Sequence, residues 1–138
     1  PERRPLPGAV EMIRTLRARK IPFGIATSGS RPEIDLSLEA LGIGPETVVI
    51  ERRDVKRAKP EPDLFLACQA KLGIPASECY VVGDAVWDLL AARRANMLSV
   101  GLLSGGYGEN ELLAAGAYRV YRDAAELHRS LDELGVLP

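Results

Sequence analysis

The sequence predicts an α/β fold, a mostly parallel sheet doubly wound by helices, and two observations carry that expectation. Short apolar runs at residues 23–27, 47–50, 79–83 and 98–100 have the length and unbroken hydrophobicity of strands buried on both faces. Stretches with apolar residues at helical spacing separate them, and strands alternating with helices argue for a parallel sheet covered on both sides.

Taken in order, Pro5-Leu6-Pro7-Gly8 reads as a linker delivering the chain into a first helix, whose Val10, Ile13 and Leu16 form an apolar stripe. Arg14, Arg17 and Lys20 point away from it. After the strand at 23–27, Ser30-Arg31-Pro32-Glu33 has the spacing of a capping box for a helix carrying Ile34, Leu38 and Leu41. Pro62 suits the first turn of a helix ending near Leu72, with Gly73 as its stop. The strand at 79–83 leads into a helix at 86–95, and the strand at 98–100 follows. A glycine-rich loop, Ser104-Gly105-Gly106-Tyr107-Gly108, precedes a helix rich in Leu and Ala. Residues 118–121 make a last strand, and Asp123 caps a terminal helix with Leu127, Leu131 and Leu134 on one face.

A chain of 138 residues suffices for one domain (1–138), with 1–6 read as linker. Its net charge of −1 gives no basic patch for nucleic acid. No apolar run approaches the roughly 20 residues of a membrane span. Cys68 and Cys79 lack CxxC spacing and sit among apolar neighbours, so free thiols and a cytoplasmic location are expected. His128 and Arg31 read as surface residues, and Met12 and Met97 as core filler. Tyr107 suits either a site entrance or loop packing.

Three strand ends carry polar groups that a fold alone does not require. Gly83-Asp84-Ala85-Val86-Trp87-Asp88 puts Asp84 at the carboxyl end of a strand, where open α/β sheets hold ligands, and Asp88 one helical turn further on. Two carboxylates this close repel unless a divalent metal, a lysine or both stand beside them. Thr27-Ser28-Gly29-Ser30 makes a strand-to-helix turn; with Ser30 as cap, Ser28 and the Gly29 amide are left for an anion such as phosphate, a plain polar turn being the alternative. Lys59, in Lys59-Pro60-Glu61-Pro62-Asp63, is pinned before a proline in a rigid loop that can project its ammonium into a site.

In this order, the Thr/Ser strand end, Lys-Pro-x-Pro-Asp and Gly-Asp-x-x-x-Asp resemble the haloacid dehalogenase-like hydrolase superfamily, with its Rossmann-like core. The subgroup resembled is that of phosphoglycolate phosphatase and β-phosphoglucomutase. The resemblance extends over nearly the whole chain, from Leu6-Pro7-Gly8-Ala9-Val10 to Ala115-Gly116-Ala117. It implies that Ser28, with Thr27 as the other register, hydrogen-bonds a transferring phosphoryl group, and that the Gly29 amide adds a donor. Lys59 would neutralise charge on the phosphoryl oxygens, Asp84 would bind Mg²⁺, and Asp88 would support that ligand through water or by pairing with Lys59.

The family's first motif, Asp-x-Asp-x-Thr/Val on the central first strand, does not occur in this sequence, and Asp54 stands in the wrong order to replace it. The resemblance therefore implies a sheet incomplete at that strand, between 23–27 and 79–83, and a core without its cap. The expected function is a Mg²⁺-dependent phosphomonoester hydrolase core acting through an aspartyl-phosphate in a complete protein, on a small phosphorylated metabolite. The chain itself is expected to be a fragment, inactive alone and oligomeric through the exposed seam. A non-catalytic remnant that binds phosphate or a partner, and a metal-free dehalogenase, are the alternative functions.

Overall fold

A computed structural model describes residues 7–137; the linker expected at 1–6 lies outside them. Among the described residues five strands and six α-helices alternate: α1 (Ala9–Ala18), β1 (Gly24–Ala26), α2 (Asp35–Ala40), β2 (Val48–Ile50), α3 (Asp63–Leu72), β3 (Tyr80–Gly83), α4 (Val86–Arg94), β4 (Leu98–Leu102), α5 (Glu109–Ala114), β5 (Arg119–Tyr121) and α6 (Ala124–Arg129). Every ladder is parallel, as alternation demands.

The sheet is in two pieces. β1 pairs with β2 (Gly24 opposite Val48), and β3, β4 and β5 pair in that order (Tyr80 opposite Leu98, Val100 opposite Arg119). No ladder joins β1 to β3 among the described residues, which is where the resemblance leaves out a strand.

Helices clothe both faces because strand side chains alternate. Val81 points into a cluster with Phe65 of α3 and Ala91, Ala92 and Ala95 around α4. On the other side Val100, Leu102 and Tyr121 bury against Leu127, Leu131 and Leu134, with Met12 and Leu16 of α1 and Tyr80 added at the margin. The Tyr80 hydroxyl is satisfied by the Leu134 carbonyl at 3.0 Å, and that of Tyr121 by Glu133 at 2.7 Å. Burial and the Glu133 carboxylate push the Tyr121 phenol up to about 12. The Cys68 thiol, buried beside β1, is likewise raised to about 11 by desolvation, and both cysteines are free.

Two local expectations need correction. The Ser30–Glu33 capping box does not form, and α2 begins only at Asp35, with Ile34 at its entry and no side-chain cap. Pro32 has no amide to give a Ser30 cap, and the neighbouring Arg31 amide is held by the Glu51 carboxylate at 2.7 Å. The terminal helix is capped by Asp123, which accepts from the Glu126 amide at 2.9 Å, but its α-helical part stops at Arg129. A 3₁₀ turn from Leu131 to Leu134 then carries the other two expected leucines into the core. His128 is also more than a surface residue. Its Nε2 lies 2.8 Å from Thr15 Oγ1, so it ties α6 to α1.

Candidate functional site

The carboxyl ends of β1 and β3 open into a pocket of about 210 Å³ whose polar walls are Lys59, Asp84 and Asp88. Each side chain is delivered by a different piece of chain. Asp84 follows directly on Gly83, the last residue of β3. Asp88 sits in the first turn of α4 and folds back: its Oδ2 accepts from the Ala85 amide at 3.3 Å. Gly83 is required there, because a β-carbon would overlap the Asp88 side chain. Lys59 comes from the loop between β2 and α3.

Of the two carboxylates, the lysine is paired with Asp88. Lys59 Nζ donates to Asp88 Oδ1 at 2.7 Å, with both side chains about six-sevenths buried (15 % and 14 % exposed). The same ammonium lies 5.2 Å from the ring centre of Phe65, which forms the apolar floor. Asp84's carboxylate makes no hydrogen bond or ion pair among the described residues.

The Lys59 loop is held by charges that sequence reasoning passed over. Arg57 pairs with Asp63 at 2.9 Å and with Glu61 at 3.2 Å; its backbone amide also donates to Asp63 at 3.1 Å. The Arg57 guanidinium holds the Asp63 carboxyl below its usual range and is itself raised. Arg94, from the end of α4, reaches across to Glu61 at 2.9 Å and to the Pro60 carbonyl at 3.3 Å. The loop that carries Lys59 is thus tied to the helix that carries Asp88.

Thr27, Ser28 and Gly29 leave β1 at the same end of the sheet, but the pocket wall there is Ala26 rather than these three. The Thr27 amide extends the ladder to Ile50 (2.9 Å), and the Thr27 hydroxyl accepts from the Gly29 amide at 3.0 Å. The Gly29 amide, expected to be free for an anion, is therefore occupied within the turn. Ser28 is exposed, and its hydroxyl makes no hydrogen bond among the described residues. Arg31 is a surface residue, paired with Asp35 at 3.2 Å and Glu51 at 3.7 Å. Tyr107 packs beside the Leu89–Leu112 cluster.

One residue of the site escaped the sequence reading altogether. The backbone of Gly105, in the turn after β4, lies so close to Asp84 that a β-carbon would overlap the Asp84 carbonyl and side chain. The signal was present as the small residues of Ser104-Gly105-Gly106, but nothing in the sequence tells which of the two glycines is pressed against the site.

For a hard divalent cation the chain supplies Asp84 as one uncommitted carboxylate, with Asp88 engaged by Lys59. No group of three His, Cys, Asp or Glu side chains is placed to hold a metal among the described residues. Asp84 suits one ligand position of Mg²⁺, which prefers carboxylate and water oxygens.

The family model for haloacid dehalogenase-like hydrolases matches residues 2–96, and the chain belongs to that family. It is 37 % identical over 105 residues to the phosphoglycolate phosphatase of Escherichia coli K12, a match covering 75 % of this chain and 42 % of that protein. Among solved structures, a hydrolase from Pseudomonas syringae superposes with a TM-score of 0.90 at 49 % identity, covering 94 % of this chain and 60 % of the other. The β-phosphoglucomutase of Clostridium difficile does so with a TM-score of 0.76 at 26 % identity, covering 95 % and 56 %. The subgroup read from the motifs is thereby borne out. The chain spans less than half the length of that E. coli relative and about 60 % of its solved neighbours.

Proposed function

We propose that the chain is the catalytic core of a Mg²⁺-dependent phosphomonoester hydrolase that acts on a small phosphorylated metabolite in the cytoplasm. The observation that carries the reading is the Lys59–Asp88 pair at 2.7 Å beside the uncommitted Asp84, at the strand ends where the sheet opens. Lys59 would counter the charge on the phosphoryl oxygens. Asp88 fixes the ammonium against one wall so that its remaining protons face the pocket. Ser28, or Thr27 through its hydroxyl hydrogen, would donate to the phosphoryl group from the turn that leaves β1 at the same end of the sheet. Mg²⁺, held in part by Asp84, would supply further electrostatic stabilisation when bound. The nucleophile is a carboxylate from outside these 138 residues: it attacks phosphorus, the alcohol leaves with a proton, and water then hydrolyses the aspartyl-phosphate. Two free thiols support the cytoplasmic assignment.

The test compares the 138-residue chain with the product of the same reading frame extended upstream, both assayed with Mg²⁺ against a panel of small phosphomonoesters. The chain alone is expected to show no turnover. The longer protein is expected to hydrolyse at least one ester and to lose at least about 100-fold in kcat on Lys59→Met. A longer protein that folds, carries the upstream carboxylates and shows no Mg²⁺-dependent turnover would sink the reading. Phosphate binding without turnover in that protein would favour a non-catalytic remnant.

A further inference from the structure

Past the last paired residues of β1 and β2 the two segments stay joined, although neither is any longer a strand. The Thr27 amide donates to the Ile50 carbonyl at 2.9 Å, and the Arg52 amide donates to the Gly29 carbonyl at 3.0 Å. The next contact uses a side chain. Glu51 Oε1 accepts from the Arg31 amide at 2.7 Å, a charge-assisted bond between residues 20 positions apart. Two guanidinium groups close around the same carboxylate: Arg53 Nε lies 3.4 Å from Oε1, and Arg31 Nε lies 3.7 Å from Oε2. Arg53 also donates to the Arg31 carbonyl. The backbone of Glu51 is fixed in turn, its amide donating to Asp54 Oδ2 at 2.8 Å where the 3₁₀ turn Arg52–Asp54 begins. These partners leave the Glu51 side chain 16 % exposed, against 49 % for Arg31 and 59 % for Arg53.

We infer that Glu51 is a positioning residue for the turn that presents Ser28, an inference that rests on the phosphoryl-binding role proposed for that turn. Within residues 27–31 every second residue is tied to the segment that follows β2: Thr27 to Ile50, Gly29 to Arg52 and Arg31 to Glu51. Ser28 and Ser30 make no hydrogen bond among the described residues. The turn is thus held through its alternate residues, and Ser28 stays uncommitted. Direct contact between Glu51 and a phosphoryl group is excluded by charge, because a carboxylate repels an anion. Glu51 therefore acts through the backbone it holds, and its two guanidinium partners offset the negative charge it brings to the turn. Of the bonds that tie the turn, the one to the Arg31 amide is the shortest and the one with an ionised acceptor, so its loss should loosen the turn most.

Charge and geometry oppose each other here, and that gives the test its sign. By charge alone, removing the carboxylate should tighten phosphate binding, because Arg31 and Arg53 lose their counter-ion. By position, removing it should weaken binding, because the Arg31 amide and both guanidinium groups are released. The ¹⁵N-labelled parent chain, Glu51→Ala and Glu51→Gln are each titrated with inorganic phosphate in the presence of Mg²⁺. Glu51→Gln keeps an oxygen for the Arg31 amide and discards the charge. Glu51→Ala is expected to bind at least about fivefold more weakly, with exchange of the Arg31 amide at least about tenfold faster. Glu51→Gln is expected to bind as tightly as the parent or more so, and to keep that amide protected. Equal or tighter binding by Glu51→Ala would overturn the inference. So would a Glu51→Gln that falls with Glu51→Ala, since charge pairing rather than the amide bond would then hold the turn. Weaker binding by Glu51→Ala with faster exchange also at Leu112 and Leu127, which lie in other core clusters, would overturn it too, as general loosening of the fold would then explain the loss. A parent chain whose Ser28 and Lys59 signals do not respond to phosphate fails differently: the phosphoryl-binding reading itself falls, and the role of Glu51 with it.

Discussion

Replacing Lys59 by Met and Asp88 by Asn, singly and together, measures whether the pair at the centre of the site is net stabilising. At 2.7 Å and an effective dielectric of about 20, the gross Coulomb attraction is about 6 kcal/mol. Against it stand the desolvation of two groups that are only 15 % and 14 % exposed and the rotamer entropy of a lysine, about 2 kcal/mol. Exposed pairs net less than about 1 kcal/mol, and breaking a fully buried one costs about 3–5. This pair lies between, and we expect a coupling energy of about 2 kcal/mol. Lys59→Met should cost about 2 kcal/mol by itself, because Asp88 keeps only the Ala85 amide at 3.3 Å. Asp88→Asn should cost somewhat less, since the ammonium retains the Phe65 ring. The assay is a double-mutant cycle by urea unfolding, followed by far-ultraviolet circular dichroism. Fluorescence of Trp87, the sole tryptophan, serves as a local probe one residue from Asp88. A coupling below about 0.5 kcal/mol, or a double variant more stable than the parent, would refute the argument: desolvation would then outweigh attraction, and the pair would be held together by the fold rather than helping to hold it.

Gly105→Ala is expected to push the turn after β4 off Asp84, costing about 1–3 kcal/mol in urea unfolding and shifting the Asp84 side-chain resonances, whereas Gly106→Ala should leave those resonances in place. Tyr121 titrates on the alkaline side. Its phenol is raised to about 12 in the folded chain, so the stability it contributes is complete below its unfolded value near 10 and is lost as pH climbs from 10 towards 12. Tyr121→Phe should therefore remove about 2 kcal/mol of the fall in unfolding free energy across that interval, read by urea titrations at pH 9.5 and 11.5. An unchanged alkaline slope would show that the Glu133 contact and burial do not hold the proton.

The parts of the fold that could be read from the sequence are those where one physical demand dominates. Tyr80-Val81-Val82 is apolar because the strand is covered on both faces, and Gly73 ends α3 in the left-handed conformation its position invites (φ +70). Asp84 and Asp88 stood out because charge at the end of an apolar strand has no packing reason to be there, and Lys59 because a proline pins it in a rigid loop. What escaped was fixed by long-range partners. Ser30 has the right neighbours for a cap, yet Glu51, 20 residues away from Arg31, holds the Arg31 amide and the helix begins only at Asp35. Nothing in the sequence singles out Phe65, and only the folded chain shows its ring beside Lys59. Arg57 and Arg94 are two among many surface arginines until their carboxylates are seen to belong to the Lys59 loop.

The site straddles the seam, and that decides how perturbations reach it. Lys59 belongs to the half built from β1, β2 and α3; Asp84 and Asp88 belong to the half built from β3, β4 and α4. No ladder fixes one half against the other among the described residues. Their relative position instead rests on Ala26 and Phe65 packing with Val81 and Ala91, on α1 packed against α6 and tied to it through Thr15 and His128, and on two polar ties at the site boundary, Lys59 to Asp88 and Arg94 to Glu61 and Pro60. Hydrophobic contact sets a distance but tolerates sliding, whereas a charge-assisted hydrogen bond at 2.7 Å is sensitive to displacements well under an ångström. The pair at the site therefore also serves as a directional link between the half-sheets.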